Sequence, residues 1–122
     1  MQYGIVISQD SEIITLCENV GKEIGLKIIF RHDLANFILC LQENNFHVAV
    51  FDFNDLDNNN VEWVKVIKKM RPKIPLIVFT KESIKITGSK MYEEGLFYNC
   101  IKPVHKDLLR SVLSAAITSY SG

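Results

Sequence analysis

Short apolar runs rich in β-branched residues alternate with longer stretches of helical periodicity along the whole chain. The short runs predict five strands, at residues 3–8, 26–30, 48–53, 76–80 and 97–101. The stretches between them carry apolar residues at helical spacing and predict helices at residues 11–21, 34–42, 61–70, 83–94 and 106–120. The fourth helical stretch is the weakest, because Gly88 interrupts it.

Polar residues at the ends of these stretches predict where the first two helices begin and stop. Asp10 or Ser11 suits the N-cap of the first helix, and Gly21 or Gly25 suits its stop. Asp33 suits the N-cap of the second helix.

Five successive strand–helix units with strands apolar on both faces indicate a parallel sheet covered by helices on both sides. Right-handed crossovers then favour an α/β, flavodoxin-like three-layer sandwich with strand order 2-1-3-4-5. Residues 1–122 are predicted to form one domain, because no linker, repeat or low-complexity tract interrupts the pattern.

Composition narrows the class of protein further. Fourteen basic and fourteen acidic side chains cancel, so no overall field favours nucleic acid or an anionic membrane as a partner. The first fifteen residues lack the features of a signal peptide, and no apolar run approaches the roughly 20 residues that span a bilayer. The three cysteines are far apart in sequence, which argues against a disulfide framework. Together these features predict a cytoplasmic domain.

The residues that end the predicted strands carry the candidate chemistry, since open parallel sheets bind ligands beyond the carboxyl ends of their strands. Strand three ends in Asp52, strand four ends in Thr80, and strand five runs into Lys102. A carboxylate can attack phosphorus and form an acyl phosphate. An ammonium and a hydroxyl can hold phosphoryl oxygens. The sequence therefore predicts that these three groups meet at one rim of the sheet.

Three segments make the chain resemble the receiver domains of bacterial two-component response regulators. They are HVAVFDFNDLDNNNVEWVKVIKK, RPKIPLIVFT and CIKP, and the resemblance extends from residue 3 to about residue 120. It implies a phosphoacceptor regulatory domain rather than an enzyme. By this resemblance Asp52 accepts a phosphoryl group from a histidine kinase, and Thr80 and Lys102 bind that group. Asp52 and the carbonyl of Asn54 would hold Mg²⁺, and the bond before Pro103 would be cis.

The sequence departs from the family pattern after strand one, where receiver domains usually place two acidic metal ligands. Here those positions are Ser8 and Gln9, and Asp10 substitutes only if the loop is reshaped. Gln9 still offers a neutral oxygen. The missing charge predicts an affinity for Mg²⁺ lower by about one order of magnitude or more, so the metal is weak or absent. Asp52 and Lys102 are already neutral as a pair, so the rim needs no metal to be stable. This leaves open the alternative of a pseudo-receiver, which is not phosphorylated and acts through a fixed interaction surface.

Two further departures concern the output of such a domain. The switch aromatic of strand five falls at Asn99, and the neighbouring Tyr98 should face the other way. Lys81 follows Thr80, where it either restricts access or supplies positive charge. The resemblance implies an output surface formed by helix four, strand five and helix five. Gly88 predicts that helix four is the most mobile of these elements, because glycine weakens a helix interior. Implied partners are a histidine kinase, an output domain or downstream protein, and a second copy through that surface.

Other interpretations of single motifs stay open from sequence alone. Asp55, Asp57 and Asn59 match the first half of an EF-hand loop, but the sixth and twelfth positions do not, which favours a solvated acidic turn. Cys100 and His105 form a remote candidate for a small hydrolase site. Basic residues on or just after the third helix are predicted to be a solvated face, namely Lys65, Lys68, Lys69 and Arg71. The sequence leaves undecided whether the chain acts alone or is a segment of a longer protein.

Overall fold

Strands and helices alternate along the chain in the predicted order. The computed structural model describes residues 1–53, 60–81 and 90–120. The strands are β1 (Gln2–Ile7), β2 (Leu26–Arg31), β3 (Val48–Asp52), β4 (Leu76–Thr80) and β5 (Tyr98–Ile101). The helices are α1 (Ser11–Ile24), α2 (Leu34–Glu43), α3 (Asn60–Met70) and α5 (Lys106–Ser119), and residues 90–93 are helical and are termed α4.

The predicted elements that lie within the described residues are confirmed, and most of their ends are shifted by at most one residue. The largest difference is in α1, which continues beyond the predicted end at residue 21 to Ile24. Of the predicted weak helix at 83–94, only residues 90–94 are described, and Gly88 lies outside the described residues. No helix in the described ranges is long and apolar enough to cross a membrane.

All strand pairs of the sheet are parallel, and the strand order is β2-β1-β3-β4-β5, as predicted. Asp52 pairs with Phe79 of β4, and Thr80 pairs with Ile101 of β5. The backbone N–H of Lys102 donates to the carbonyl of Thr80 at 2.8 Å, which continues the ladder past the end of β5. This register brings the ends of β3, β4 and β5 to the same edge of the sheet.

Helices cover both faces of the sheet, which gives the three-layer sandwich. One buried cluster joins one face of the sheet to α2, α3 and α4, through Phe37, Leu41, Val64, Ile67 and Met91 among others. The other cluster joins the opposite face to α1 and α5, through Ile13, Cys17, Val20, Leu109 and Leu113 among others. Strand residues alternate between the two clusters because successive side chains in a strand point to opposite faces.

The cap residues define both ends of α1. Asp10 Oδ1 accepts the N–H of Glu12 at 2.9 Å, and Gly25 ends the helix in the left-handed region, at φ 72°. Gly21 lies inside the helix, so it is not the stop. A Cβ at Gly21 would lie 2.8 Å from the carbonyl oxygen of Leu26, which indicates that this glycine lets α1 approach β2 closely.

The prediction that the basic residues around the end of α3 only form a solvated face is wrong for two of them. Lys68 Nζ donates to the carbonyl of Ile74 at 2.6 Å, and partial burial lowers the pKa of its ammonium. Arg71 donates from Nε to the carbonyl of Leu41 at 3.0 Å and from a terminal nitrogen to that of Gln42 at 2.8 Å. These carbonyls end α2, where a cation is favourable.

Candidate functional site

The candidate site lies at the edge of the sheet where β3, β4 and β5 end. Alternation along the strands decides which side chains share a face there. Asp52 continues the face of Val48 and Val50, which pack against α1 and α5. Thr80 continues the face of Val78, which packs in the cluster with α2 and α3. Two of the three predicted groups therefore approach this rim from opposite faces of the sheet.

Asp52 and Lys102 form an ion pair across the rim, with 2.7 Å between Lys102 Nζ and Asp52 Oδ1. The Asp52 side chain is 5% exposed and that of Lys102 is 24% exposed. Asp52 Oδ1 accepts no hydrogen bond of good geometry within the described ranges, so the contact is electrostatic rather than an aligned hydrogen bond. The predicted meeting of these two groups is thus present in the structure, and the pair as a unit carries no net charge.

Ser8 holds the second oxygen of the same carboxylate. Its hydroxyl donates to Asp52 Oδ2 at 2.7 Å and accepts the backbone N–H of Asp10 at 3.0 Å. Ser8 is 2% exposed and follows β1, whose Ile7 pairs with Phe51 of β3. Sequence reasoning noted Ser8 only as a missing acid. The signal that could have found it is its place one residue beyond β1, beside the strand that carries Asp52.

The hydroxyl of Thr80 is engaged on the other face of the sheet. It donates to Asn99 Oδ1 at 2.6 Å, and the backbone N–H of Asn99 donates to the hydroxyl of Tyr92 at 2.7 Å. Tyr98 packs in the cluster with α1 and α5, so it faces away from Asn99 as predicted. Asn99, at the position where receiver domains carry an aromatic residue, therefore connects the end of β4 to α4.

The described residues do not fit Mg²⁺ at this rim. Gln9 Nε2 donates to the backbone carbonyl of His32 at 3.1 Å, and the carboxylate of Asp10 caps α1. In the described ranges, no group of three His, Cys, Asp or Glu side chains could hold a metal ion. Mg²⁺ keeps several waters and takes only one or two carboxylates from a protein, but both oxygens of the Asp52 carboxylate already face Ser8 and Lys102. Asn54, the other predicted ligand, lies outside the described residues.

Two clefts flank the ion pair. Lys102 lines one of them together with Lys81, Asp10 and apolar residues of α1 and of the segment after β5. Asp52 lines the other together with Ser8 and Trp63. Lys81 therefore lies on the Lys102 side of the rim, and the single tryptophan of the chain lies on the Asp52 side. Trp63 is thus placed to report on changes at Asp52.

The remaining candidate chemistry receives little support. Cys100 is fully buried, and this burial raises the pKa of its thiol to about 12, which is opposite to what a nucleophilic cysteine needs. His105 is the N-cap of α5 and makes no side-chain capping bond. The half EF-hand pattern at Asp55, Asp57 and Asn59 lies outside the described residues. The Lys102–Pro103 peptide bond is cis, as the resemblance implied.

Comparisons with known sequences agree with the resemblance. The chain is 29% identical over 117 residues to the DNA-binding transcriptional regulator NtrC of Proteus hauseri, and the match covers 94% of this chain and 24% of that protein. It is 23% identical over 113 residues to the transcriptional regulatory protein ZraR of Klebsiella oxytoca, covering 93% and 26%. The chain thus spans about a quarter of the length of these relatives. No protein-family model matches it.

Comparisons with solved structures define the fold. A response regulator receiver domain from Clostridium thermocellum matches with a TM-score of 0.84 at 20% identity, over 97% of this chain and 95% of that one. The signal receiver domain of a response regulator from Bacteroides fragilis gives 0.84 at 21% identity, over 96% and 97%. The BeF3-activated DrrB receiver domain gives 0.81 at 22% identity, over 97% and 98%. The chain therefore has the receiver-domain fold, and the resemblance is confirmed.

Proposed function

We propose that this chain works as a receiver domain of two-component signalling, with Asp52 as the phosphoacceptor. The observation that carries the proposal is the Asp52–Lys102 ion pair of 2.7 Å at the carboxyl edge of a receiver-domain sheet. A carboxylate at the end of a buried strand, held by an ammonium, is costly to bury without a role. The proposal treats residues 1–122 as one regulatory unit.

The proposed reaction is transfer of a phosphoryl group from a phosphohistidine of a kinase. One Asp52 oxygen forms a bond to phosphorus while the phosphorus–nitrogen bond breaks, and the imidazole nitrogen keeps the electron pair. The ammonium of Lys102 then faces the negative charge of the added phosphoryl group, and the attraction between the two stabilises the phosphorylated site. Thr80 can contribute only after its hydroxyl leaves Asn99, because that bond now uses its proton.

The added charge would act through a surface formed by α4, β5 and α5. Tyr92, Ile101 and Leu108 are exposed there, one on each element. Tyr92 also accepts the N–H of Asn99, which itself accepts from Thr80, so the surface is connected to the rim through two hydrogen bonds. We propose this surface as the one that contacts an output domain, a downstream protein or a second copy of the chain.

A small phosphodonor such as acetyl phosphate tests the phosphoacceptor directly. The wild-type chain, incubated with the donor in the presence and in the absence of Mg²⁺, should gain the mass of one phosphoryl group, and peptide mapping should place it on Asp52. Asp52→Asn should abolish this gain. Asp33→Asn is the matched control, because Asp33 is an exposed acid on the Asp52 side of the rim and asparagine still caps a helix. Incorporation that persists in Asp52→Asn would move the site to another acid.

A second candidate function is a phosphorylation-independent interaction domain. It is favoured by the enclosure of Asp52, whose side chain is 5% exposed and whose two oxygens face Lys102 and Ser8. A phosphodonor reaches this carboxylate only if those contacts open. Failure to incorporate phosphate from acetyl phosphate and from a histidine kinase, in a chain that remains folded, would favour this second function over the first.

A further inference from the structure

Ser8 lies at the rim where its hydroxyl stabilises the charge of the Asp52 carboxylate. Its hydroxyl proton points to Asp52 Oδ2, and one of its lone pairs accepts the N–H of Asp10. The other carboxylate oxygen faces the Lys102 ammonium at 2.7 Å. Both oxygens of Asp52 therefore have partners from the protein itself.

We infer that the Ser8 hydroxyl, together with Lys102, takes the place of a divalent cation at Asp52 and closes this rim to metal. The inference concerns the resting site and does not depend on whether Asp52 is ever phosphorylated. Ser8 then acts as an internal ligand, which means a hydrogen-bond partner that the protein itself supplies to Asp52. Without this role, Ser8 would be only the residue that replaces an acid of the family pattern.

The charges at the rim explain why a cation is not attracted. Asp52 contributes one negative charge and Lys102 one positive charge, so the pair is neutral. A divalent ion entering beside Asp52 would meet the repulsion of Lys102 and would have to displace the Ser8 proton from Oδ2. Gln9 donates to the carbonyl of His32, and the carboxylate of Asp10 accepts the N–H of Glu12 at the start of α1, so neither side chain bonds at Asp52.

A second carboxylate at the position of Ser8 should make the rim attract a divalent cation. In Ser8→Asp, the hydroxyl bond to Asp52 is lost and two carboxylates lie side by side against one ammonium. Such a cluster carries net negative charge and needs a cation. Ser8→Asp should therefore bind Mg²⁺ at least about tenfold more tightly than the wild-type chain.

Two control variants separate the charge from other effects of substitution. Ser8→Asn has nearly the size of Ser8→Asp but adds no charge, so it should not respond to Mg²⁺. Gln9→Asp adds a carboxylate on the neighbouring exposed residue while leaving the Ser8–Asp52 hydrogen bond in place. If the internal ligand is what closes the rim, Gln9→Asp should respond no more than the wild type.

Fluorescence of Trp63 provides the readout, since this tryptophan lines the same cleft as Ser8 and Asp52. Each chain is titrated with MgCl₂ and with MnCl₂ into the millimolar range, against NaCl of equal ionic strength, with thermal unfolding as a second measurement. The expected result is a saturable change and a metal-dependent rise in unfolding temperature for Ser8→Asp alone. No phosphodonor is present, so the outcome is independent of the test of phosphoacceptor activity.

Three outcomes would overturn the inference. A saturable millimolar response of the wild-type chain would show that other residues complete a metal site at Asp52. A folded Ser8→Asp that stays unresponsive would show that Ser8 is not what excludes the metal. A response of Gln9→Asp equal to that of Ser8→Asp would show that any added carboxylate suffices. If Ser8→Asp does not fold, a saturable response of the wild-type chain or of Gln9→Asp would still overturn the inference, because both titrations are expected to be flat.

Discussion

Removing the cationic half of the rim pair, by Lys102→Met, should destabilise the fold more than the loss of any exposed lysine. Methionine has nearly the length of lysine and keeps the apolar stem, so the main change is loss of the charge. The Asp52 carboxylate would then remain 5% exposed without its counterion, with the Ser8 hydroxyl as its nearest remaining donor.

The magnitude follows from the burial of the two groups. Breaking a fully buried ion pair by removing one partner typically costs about 3–5 kcal/mol, because an uncompensated charge stays in the interior. Lys102 is 24% exposed, so water screens part of the interaction, and the Ser8 bond continues to stabilise the carboxylate. We therefore expect a loss of about 2–3 kcal/mol in the free energy of unfolding.

Urea denaturation followed by Trp63 fluorescence and circular dichroism measures this loss. In the double variant Lys102→Met/Asp52→Asn no charge is left unpaired, so the double variant should be more stable than the sum of the single losses predicts. Lys106→Met is the matched control, since Lys106 pairs with Glu23 on the surface and its removal should hardly move the midpoint. Equal midpoints for Lys102→Met and Lys106→Met, or additive losses in the double variant, would refute the reasoning.

Three further expectations concern other parts of the molecule. Asn99→Ala leaves the buried Thr80 hydroxyl without its acceptor and should cost about 1–2 kcal/mol, measured by urea denaturation; an unchanged midpoint would contradict the assigned bond. Burial raises the pKa of the Cys17 and Cys100 thiols to about 12, so at pH 8 both stay protonated and should resist a thiol reagent until urea unfolds the chain; rapid labelling of the native state would count against this burial. Gly21→Ala places a Cβ 2.8 Å from a backbone carbonyl of β2 and should cost about 1–3 kcal/mol, although alanine normally favours a helix; a stabilised variant would show that α1 can move away.

The sequence alone determined the architecture and the edge of the sheet that carries the site. The period of apolar residues distinguishes strands from helices, and strands apolar on both faces indicate a parallel sheet. Once the strands are parallel, their carboxyl ends lie at one edge, so Asp52, Thr80 and Lys102 had to lie at the same rim. These conclusions depend on local periodicity and chain order, which are visible in one sequence.

The same local signals located the helix caps. Asp10 and Asp33 cap α1 and α2 as predicted, because a cap is a bond between residues only a few positions apart. Gly25 is the stop of α1, one of the two predicted alternatives, but the sequence does not show why Gly21 is needed, because it does not show how closely β2 approaches α1. Its close contact with the carbonyl of Leu26 exists only in the packed structure.

The partners of the site residues, in contrast, become visible only in the folded chain. The bond between Ser8 and Asp52 joins residues 44 positions apart, and Thr80 bonds to Asn99 rather than facing Asp52. These hydrogen bonds depend on the register of the strands, on the face of the sheet from which each side chain projects, and on the rotamers that packing allows. The sequence shows which residues carry hydrogen-bond donors and acceptors, but the fold sets the distances between them. Hydrogen bonds and ion pairs depend strongly on distance, so the sequence alone does not show which of them form.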